Sequence, residues 1–473
     1  MGRIAFGTSG WRGIFCEDFT FENVRVVTQA IADHLRARGT SGNGVVIGYD
    51  GRFMGARFAL ETAKVLAGAG IKAYLCERDT PTPVIALEIL RRQAAGGINF
   101  TASHNPYDYN GLKFSPESGG PALPETTNDI EKRANALLGE VCYKELTREQ
   151  GERAGLIEMI DPRPGYFAAL RQLIDFKAIA ASGLTIAVNP LYGAGRGYLD
   201  AMLRECGVQV VTLNDHRDPY FGGHPPEPAE EHISDFIALV KGRPDIGLGL
   251  ATDGDADRYG VVDGDGRFFE PNYILALLYD YLLRRKKLSG DAARSVATSQ
   301  LIDAVAAHHG QKVVETPVGF KFIGELITAG SILIGGEESA GLTIRGHVPD
   351  KDGILACLLV AEMVAVEKRS LSVLLQDLFA RVGAIYSHRD NLRLSPELEA
   401  GYAGKLATPL KTLAGKEIVK TVTVDGCKYL FADGSWVLFR KSGTEPVVRV
   451  YAEAGSTAEL ARLRAAAAAY VSA

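Results

Sequence analysis

A strand–loop–helix–strand unit that returns at domain-scale intervals constrains this chain more than any other feature. Residues 44–76 read GVVIGYDGRFMGARFALETAKVLAGAGIKAYLC, and residues 183–213 read GLTIAVNPLYGAGRGYLDAMLRECGVQVVTL. Each has a β-branched apolar run, then Asp or Asn with a glycine-bearing turn, an amphipathic helix, a glycine and a second apolar run. Short buried strands joined in this way suit a sheet with parallel pairing and helices on its faces. A third copy is read at 296–316, VATSQLIDAVAAHHGQKVVET. Intervals this long mark repeated domains, not a short-period solenoid. Beyond them, EIVKTVTVDGCKYLF, SWVLFR and VVRVYAEA alternate as strands before an Ala-rich terminal helix. The expected fold class is therefore α/β: three similar α/β domains with mixed sheets, plus a smaller α+β C-terminal domain.

The seams follow from local chemistry. Residues 146–165 are polar and carry Pro162 and Pro164, VVDGDGRFF reads as a hairpin turn at Gly264–Gly266, and a third break lies near 385–395. These predict domains at 1–150, 151–263, 264–385 and 386–473 of the 473 residues. The turn-rich stretch 115–130 is expected to be an excursion within the first.

Composition narrows the partners. The net charge of −5 gives no bulk attraction to nucleic acid or to an anionic membrane, while local basic sites for small anions remain open. Six cysteines lie far apart with no Cys-x-x-Cys, which predicts neither a zinc ribbon nor a redox motif; Cys76 and Cys206 read as small buried hydrophobes. With no apolar run of about 18 residues and no hydrophobic leader, the expectation is a soluble cytoplasmic protein.

Four loops carry the chemistry. In GGINFTASHNPYDYNGLKF the run 96–101 predicts a strand, with Ser103 just past its C-terminal end, where open α/β sheets bind ligands. Ser103 and His104 do not make a triad: neighbouring side chains usually diverge, and no Gly-x-Ser-x-Gly elbow surrounds them. Lys113, ten residues after the serine, is reachable if the loop folds back. In GLGLATDGDADRYGVV, Asp253, Asp255 and Asp257 alternate after a strand, and three carboxylates on one loop call for a cation. Oxygen ligands suit Mg2+, Mn2+ or Ca2+. An EF-hand fails, because the positions that need glycine and glutamate hold Arg258 and Gly264. Three carboxylates are few for Ca2+, and Mg2+ commonly also takes a phosphate oxygen, so a phosphate is expected nearby. In ILIGGEESAGLTIRGHVPDKDG, Gly335 and Gly336 allow close backbone approach, Glu337 and Ser339 suit sugar hydroxyls, and Lys351 can meet an anion. In FRKSGTEPVVRVY, Arg440, Lys441, Ser442, Gly443 and Thr444 offer cations, hydroxyls and N–H groups for a dianionic phosphate, with Arg449 as a second guanidinium. The N-terminal FGTSGWRG adds Thr8, Ser9, Gly10 and Arg12.

TASHNP with its following lysine, DGDADR, GEES and RKSGTEP, in this order on successive domains, resemble the α-D-phosphohexomutase family over nearly the whole chain. The resemblance implies four domains in a heart shape around one central cleft. It implies that Ser103 carries the phosphoryl group, and that Asp253, Asp255 and Asp257 bind Mg2+, which also touches the phosphoserine. Lys113 is implied as general acid/base, helped by Arg12 and supported by His104, with Arg258 beside the metal. Glu337 and Ser339 would hold sugar hydroxyls, and Arg440, Ser442, Gly443 and Thr444 the phosphate that stays in place. A lysine among such cations is expected to have a lowered pKa. The implied cycle passes the phosphoryl from Ser103 to a hexose 1-phosphate, turns the bisphosphate around and returns the other phosphate to Ser103.

The sugar is read from the third loop. Dual-specificity members resemble GEMSGH and phosphoglucosamine mutases GEQSGH, whereas this chain has GEESAG with Gly341 in the histidine's place and Lys351 following. That looks like a prokaryotic phosphoglucomutase, with glucose 1,6-bisphosphate as intermediate and activator. Where animal-type members have Thr-Gly-Trp-Lys, residues 318–321 are Val-Gly-Phe-Lys, with Lys321 kept as a candidate binding residue and mannose or pentose phosphates left open. An aspartate-nucleophile phosphatase and a sugar-phosphate sensor are the rival classes. A phosphatase fits poorly because Asp257 stands where Thr or Val is usual, and a sensor needs neither the serine nor the metal. A hexose phosphate partner and a monomer or homodimer are expected.

Overall fold

The computed structural model describes residues 3–7, 10–140, 143–393, 410–441 and 447–472. Thr8, Ser9, Ser442, Gly443 and Thr444 lie outside the described residues, so the first and fourth loops are followed below through Arg12, Arg440 and Arg449.

Among the described residues, four sheets form along the chain. In the first, Val45–Tyr49 runs parallel between Ala73–Cys76 and Gly96–Phe100, and Tyr109–Pro116 returns antiparallel on Gly96–Phe100. In the second, Thr185–Asn189 is parallel to Ile246–Thr252, which turns back antiparallel into Tyr259–Asp263. In the third, Ala292–Ser295 lies parallel between Val313–Thr316 and Ile334–Glu337, and Gly341–Ile344 closes a hairpin on the latter. The three sheets share one plan. Parallel strands fed by helices end in an antiparallel hairpin, and the turn of that hairpin is the candidate loop. The fourth sheet is antiparallel throughout its described pairings, and its candidate stretch likewise joins two paired strands, Trp436–Lys441 and Val447–Ala454.

The helix Gly353–Glu367, apolar on nearly every face, lies in a core that runs from the second sheet to the third. The first and fourth sheets have cores of their own. None of the described helices is long and apolar enough to cross a membrane.

Several expectations are corrected. Ile157–Ile160 pairs with Ala73–Cys76, so the first sheet extends past the seam expected at 150. Only four residues long and interrupted by Glu158, this strand has no clear alternation to betray it. The third unit opens at Ala292–Ser295, upstream of 296. Within 115–130, Pro124 starts the helix Pro124–Leu137, since a proline in the first turn donates no bond the helix needs. Cys76 is buried, but Cys206 at a helix C-terminus is only partly so. Gly335 and Gly336 face the core: a Cβ on them would collide with Ile323 and Leu275.

Candidate active site

The hairpin turns bring side chains from three sheets together. Ser103 has a left-handed φ of 51°, and its N–H donates to Thr101 Oγ1 at 2.8 Å. That backbone turns the hydroxyl toward the second sheet, where Ser103 Oγ donates to Asp253 Oδ2 at 2.9 Å. The same twist holds Ser103 Oγ 3.3 Å from His104 Nδ1, so the neighbouring pair converges where divergence was expected. Burial, with the guanidinium groups of Arg258 and Arg12 nearby, holds His104 well below the usual imidazole pKa. The two loops touch through backbone as well. A Cβ on Gly254 would lie 2.8 Å from the Ser103 carbonyl oxygen, so only glycine permits this approach.

Lys113 reaches the cluster by register. It pairs with Asn99 across the first hairpin, and Arg12 sits on the next strand opposite Gly111. Lys113 Nζ donates to Asp255 Oδ2 at 2.5 Å and Asp257 Oδ2 at 3.1 Å. Burial alone would lower its pKa, but these two carboxylates outweigh burial and raise it above the usual lysine value. The expected lowering is therefore not found in this arrangement, in which carboxylates and not cations are its nearest partners. Arg12 Nη1 donates to Asn105 Oδ1 at 2.5 Å, beside the serine.

The three aspartates are buried, and one ligand oxygen from each lies within 4.8 Å of the others. Asp255 is fixed from the first domain by Thr82, at the start of the helix Thr82–Arg92, whose hydroxyl donates to Oδ2 at 2.5 Å. Asp253 accepts from the Arg258 N–H at 3.0 Å. Burial and repulsion from Asp255 and Asp257 raise the Asp253 pKa well above the carboxylate range. Asp255 Oδ1 and Asp257 Oδ1 are buried with no hydrogen-bond partner. Two orphaned carboxylate oxygens beside a third acid are the donors a hard divalent cation takes, so this triad can bind a metal ion.

The third sheet adds the far wall. Lys351 Nζ is 3.2 Å from Asp257 Oδ2, and Glu337 Oε1 accepts from the Gly319 N–H at 2.8 Å. Burial and repulsion from Glu338 raise the Glu337 pKa to about 7. The departure at Gly341 now has a cause. A Cβ there would collide with Lys351 Cδ, so the lysine stem fills the space that a side chain at 341 needs. Arg258 Nη1 is 3.3 Å from Glu227 Oε1, and Arg258 and Ser339 line a cavity of about 230 Å3 that reaches Trp436 and Tyr451 of the fourth sheet. Arg440 lies directly across from Arg449, with its Nε 3.0 Å from Asp425 Oδ1. Lys321, near the start of the helix Phe320–Thr328, has its ammonium 5.3 Å from the Phe322 ring and, among the described residues, no ion pair to the acidic loop.

Arg52 was not singled out from sequence. It is fully buried, and every donor is used. Nε donates to Asp50 Oδ2 at 3.2 Å, Nη1 to the Pro106 and Tyr109 carbonyls at 2.7 and 2.9 Å, and Nη2 to the Ser103 and Asn105 carbonyls at 2.8 and 2.6 Å. One guanidinium thus holds the turn that presents the serine. The only signal was the triplet Asp50-Gly51-Arg52, which reads as an ordinary turn.

Known proteins match this chain along its length. Sequence models of the phosphoglucomutase/phosphomannomutase family match domain by domain: α/β/α domain I at residues 3–138, domain II at 164–266, domain III at 270–382 and the C-terminal domain at 403–469. A phosphoglucomutase of Komagataeibacter xylinus is 33% identical over 494 aligned positions, covering 96% of this chain and 88% of that one. A phosphoglucomutase/phosphomannomutase of Thermococcus kodakarensis is 32% identical, covering 96% and 95%. The crystal structure of a Thermus thermophilus protein described as a phosphomannomutase superposes with a TM-score of 0.86 at 34% identity over 100% of both chains. With all four domains matched in order, the chain belongs to the phosphoglucomutase/phosphomannomutase family, the α-D-phosphohexomutases.

Proposed function

We propose that the protein interconverts glucose 1-phosphate and glucose 6-phosphate through a phosphoserine at Ser103, with glucose 1,6-bisphosphate as the intermediate. The observation that carries this reading is the 2.9 Å contact between the Ser103 hydroxyl and Asp253, made across two domains, on an acidic loop that also holds the half-buried Lys113. A serine phosphate is a stable store, and a hydroxyl buried against an acidic loop is exchanged only with what enters the cleft. In the forward half-reaction the bond from Ser103 Oγ to phosphorus breaks and the sugar hydroxyl takes the phosphoryl. Lys113, protonated beside Asp255 and Asp257, would give a proton to the departing serine oxygen and recover one from the sugar hydroxyl as it takes the phosphoryl, and the reverse half-reaction exchanges the two in the opposite sense, so no net proton is consumed. Mg2+ on Asp253, Asp255 and Asp257 would neutralise charge on the phosphoryl group in transfer. Arg12 and His104 orient the serine side. Glu337 and Ser339 receive sugar hydroxyls, and Arg440, Ser442, Gly443 and Thr444, with Arg449, hold the phosphate that stays.

Preference for glucose rests on GEES together with Lys351, and on the phosphoglucomutase name of the Komagataeibacter relative. A mannose or dual preference is favoured by Val318, which lacks the threonine hydroxyl of animal-type members, and by the paired name of the Thermococcus relative. Rates measured side by side on glucose, mannose and glucosamine 1-phosphates test this. We expect kcat/KM for glucose to exceed the others by about tenfold or more. The reverse ranking removes the glucose preference, and absence of turnover on all three removes the mutase reading.

The elevated Glu337 pKa gives a second expectation. An ionised carboxylate accepts from two sugar hydroxyls, and a protonated one loses an acceptor. As pH falls through about 7, Glu337 takes up its proton and KM rises. Glu337→Gln, which keeps the acceptor for the Gly319 N–H, flattens that limb of the KM profile. An unchanged profile in the variant would assign the limb to the substrate phosphate.

A further inference from the structure

We propose that Asp425 is a positioning residue that ties the phosphate-holding arginine of the fourth domain to the sugar-binding turn of the third; this rests on the mutase reading above. Asp425 stands in the turn between the strands Lys416–Val422 and Cys427–Phe431. Its two oxygens face different domains. Oδ1 is 3.0 Å from Arg440 Nε, and Oδ2 accepts from the Val318 N–H at 3.2 Å. The next N–H along, that of Gly319, donates to Glu337. Two consecutive backbone donors of one third-domain turn therefore hold two carboxylates, one ion-paired with the arginine and one that meets the sugar.

The placement of Asp425 is enforced by its neighbours. Gly426 has a φ of +87°, and a Cβ on it would collide with the Phe439 carbonyl oxygen and lie 3.2 Å from Arg440 Cα. The turn is thus pressed onto the strand that carries the arginine, and Cys427 pairs with Phe439 one step away. Asp425 and Arg440 are also partly withdrawn from solvent, at 26% and 17% side-chain exposure, so their pairing is less screened than a surface ion pair. A carboxylate on Nε leaves the fork of terminal nitrogens as the face for a phosphate. The ion pair biases the long arginine side chain toward this place before substrate arrives, which lowers the ordering that binding requires. Closing the fourth domain over the sugar and aiming the arginine at the phosphate become one event, because one carboxylate makes both contacts.

The test is Asp425→Ala, with Asp425→Asn as a milder variant that keeps an acceptor for the Val318 N–H. KM for both the 1-phosphate and the 6-phosphate is expected to rise by about tenfold in the alanine variant. The factor should be the same for both substrates, since the arginine holds whichever phosphate is not reacting. The asparagine variant should lie between, with kcat within about twofold of the parent in each. Calorimetric titration with glucose 6-phosphate, which needs no turnover, is expected to show the same loss in Kd. A KM that is unchanged or falls, or a loss confined to kcat, overturns the proposal; a fall would mean that Asp425 competes with the phosphate. Should the parent bind glucose 6-phosphate but turn over no hexose phosphate, the mutase reading fails while the calorimetric comparison still decides the role of Asp425.

Discussion

Ser103→Ala is expected to lower kcat for hexose phosphate interconversion by about 10^4-fold or more, because it removes the atom that carries the phosphoryl group. The fold should survive. The variant gives up one hydrogen bond to Asp253 and one to His104, each worth about 1 kcal/mol, while the turn itself is held by backbone carbonyls that alanine retains. Mass spectrometry of the parent should find the phosphoryl group on the peptide containing Ser103, and the variant should lack it even after incubation with glucose 1,6-bisphosphate. The informative contrary result is a variant that still releases phosphate. It would move the nucleophile to Asp253 and restore the phosphatase reading.

The largest loss of stability is expected from Arg52→Met. The parent guanidinium has no exposed surface and makes five hydrogen bonds, four of them to carbonyls of the serine turn. Its removal leaves those carbonyls unsatisfied and Asp50 buried without its cation, at a cost of about 3–5 kcal/mol. Chemical denaturation of parent and variant measures it. The loss should depend on pH. Burial, opposed by Arg52, pushes Asp50 up to about 6, so the folded chain keeps a proton there that the unfolded chain has released. The contribution of this group to stability therefore falls as pH rises from the unfolded value to about 6, and without Arg52 that window extends further upward. The variant should be least destabilised in acid and most at neutral pH. A loss of less than about 1 kcal/mol that does not vary with pH would show that the turn is held by other contacts.

The acidic and serine loops that meet in the structure stood out in the sequence because each carries its composition within a few residues. Three alternating aspartates, or a serine past a strand end, announce themselves whatever the tertiary context. The sheets were legible for a similar reason, since β-branched runs bounded by glycine mark buried strands. What stayed hidden depends on register and on partners far along the chain. Arg52 looks like part of a turn until the loop beginning at Ser103 folds over it, and Asp425 looks like a hairpin residue until the third domain supplies Val318. The titration of Lys113 depends on neighbours that lie far along the chain. The first hairpin aims it at carboxylates of the second domain, whose charge dominates. Pro124 was read as a turn former, and the helix it opens showed only in the structure.

Lys351 and a side chain at 341 compete for the same volume. A larger residue at 341 therefore requires the Lys351 stem to move. A histidine introduced alone collides with the lysine stem, and loss of the lysine alone removes a cation from the cleft. A laboratory redesign of this turn has therefore to change residues 341 and 351 as a pair.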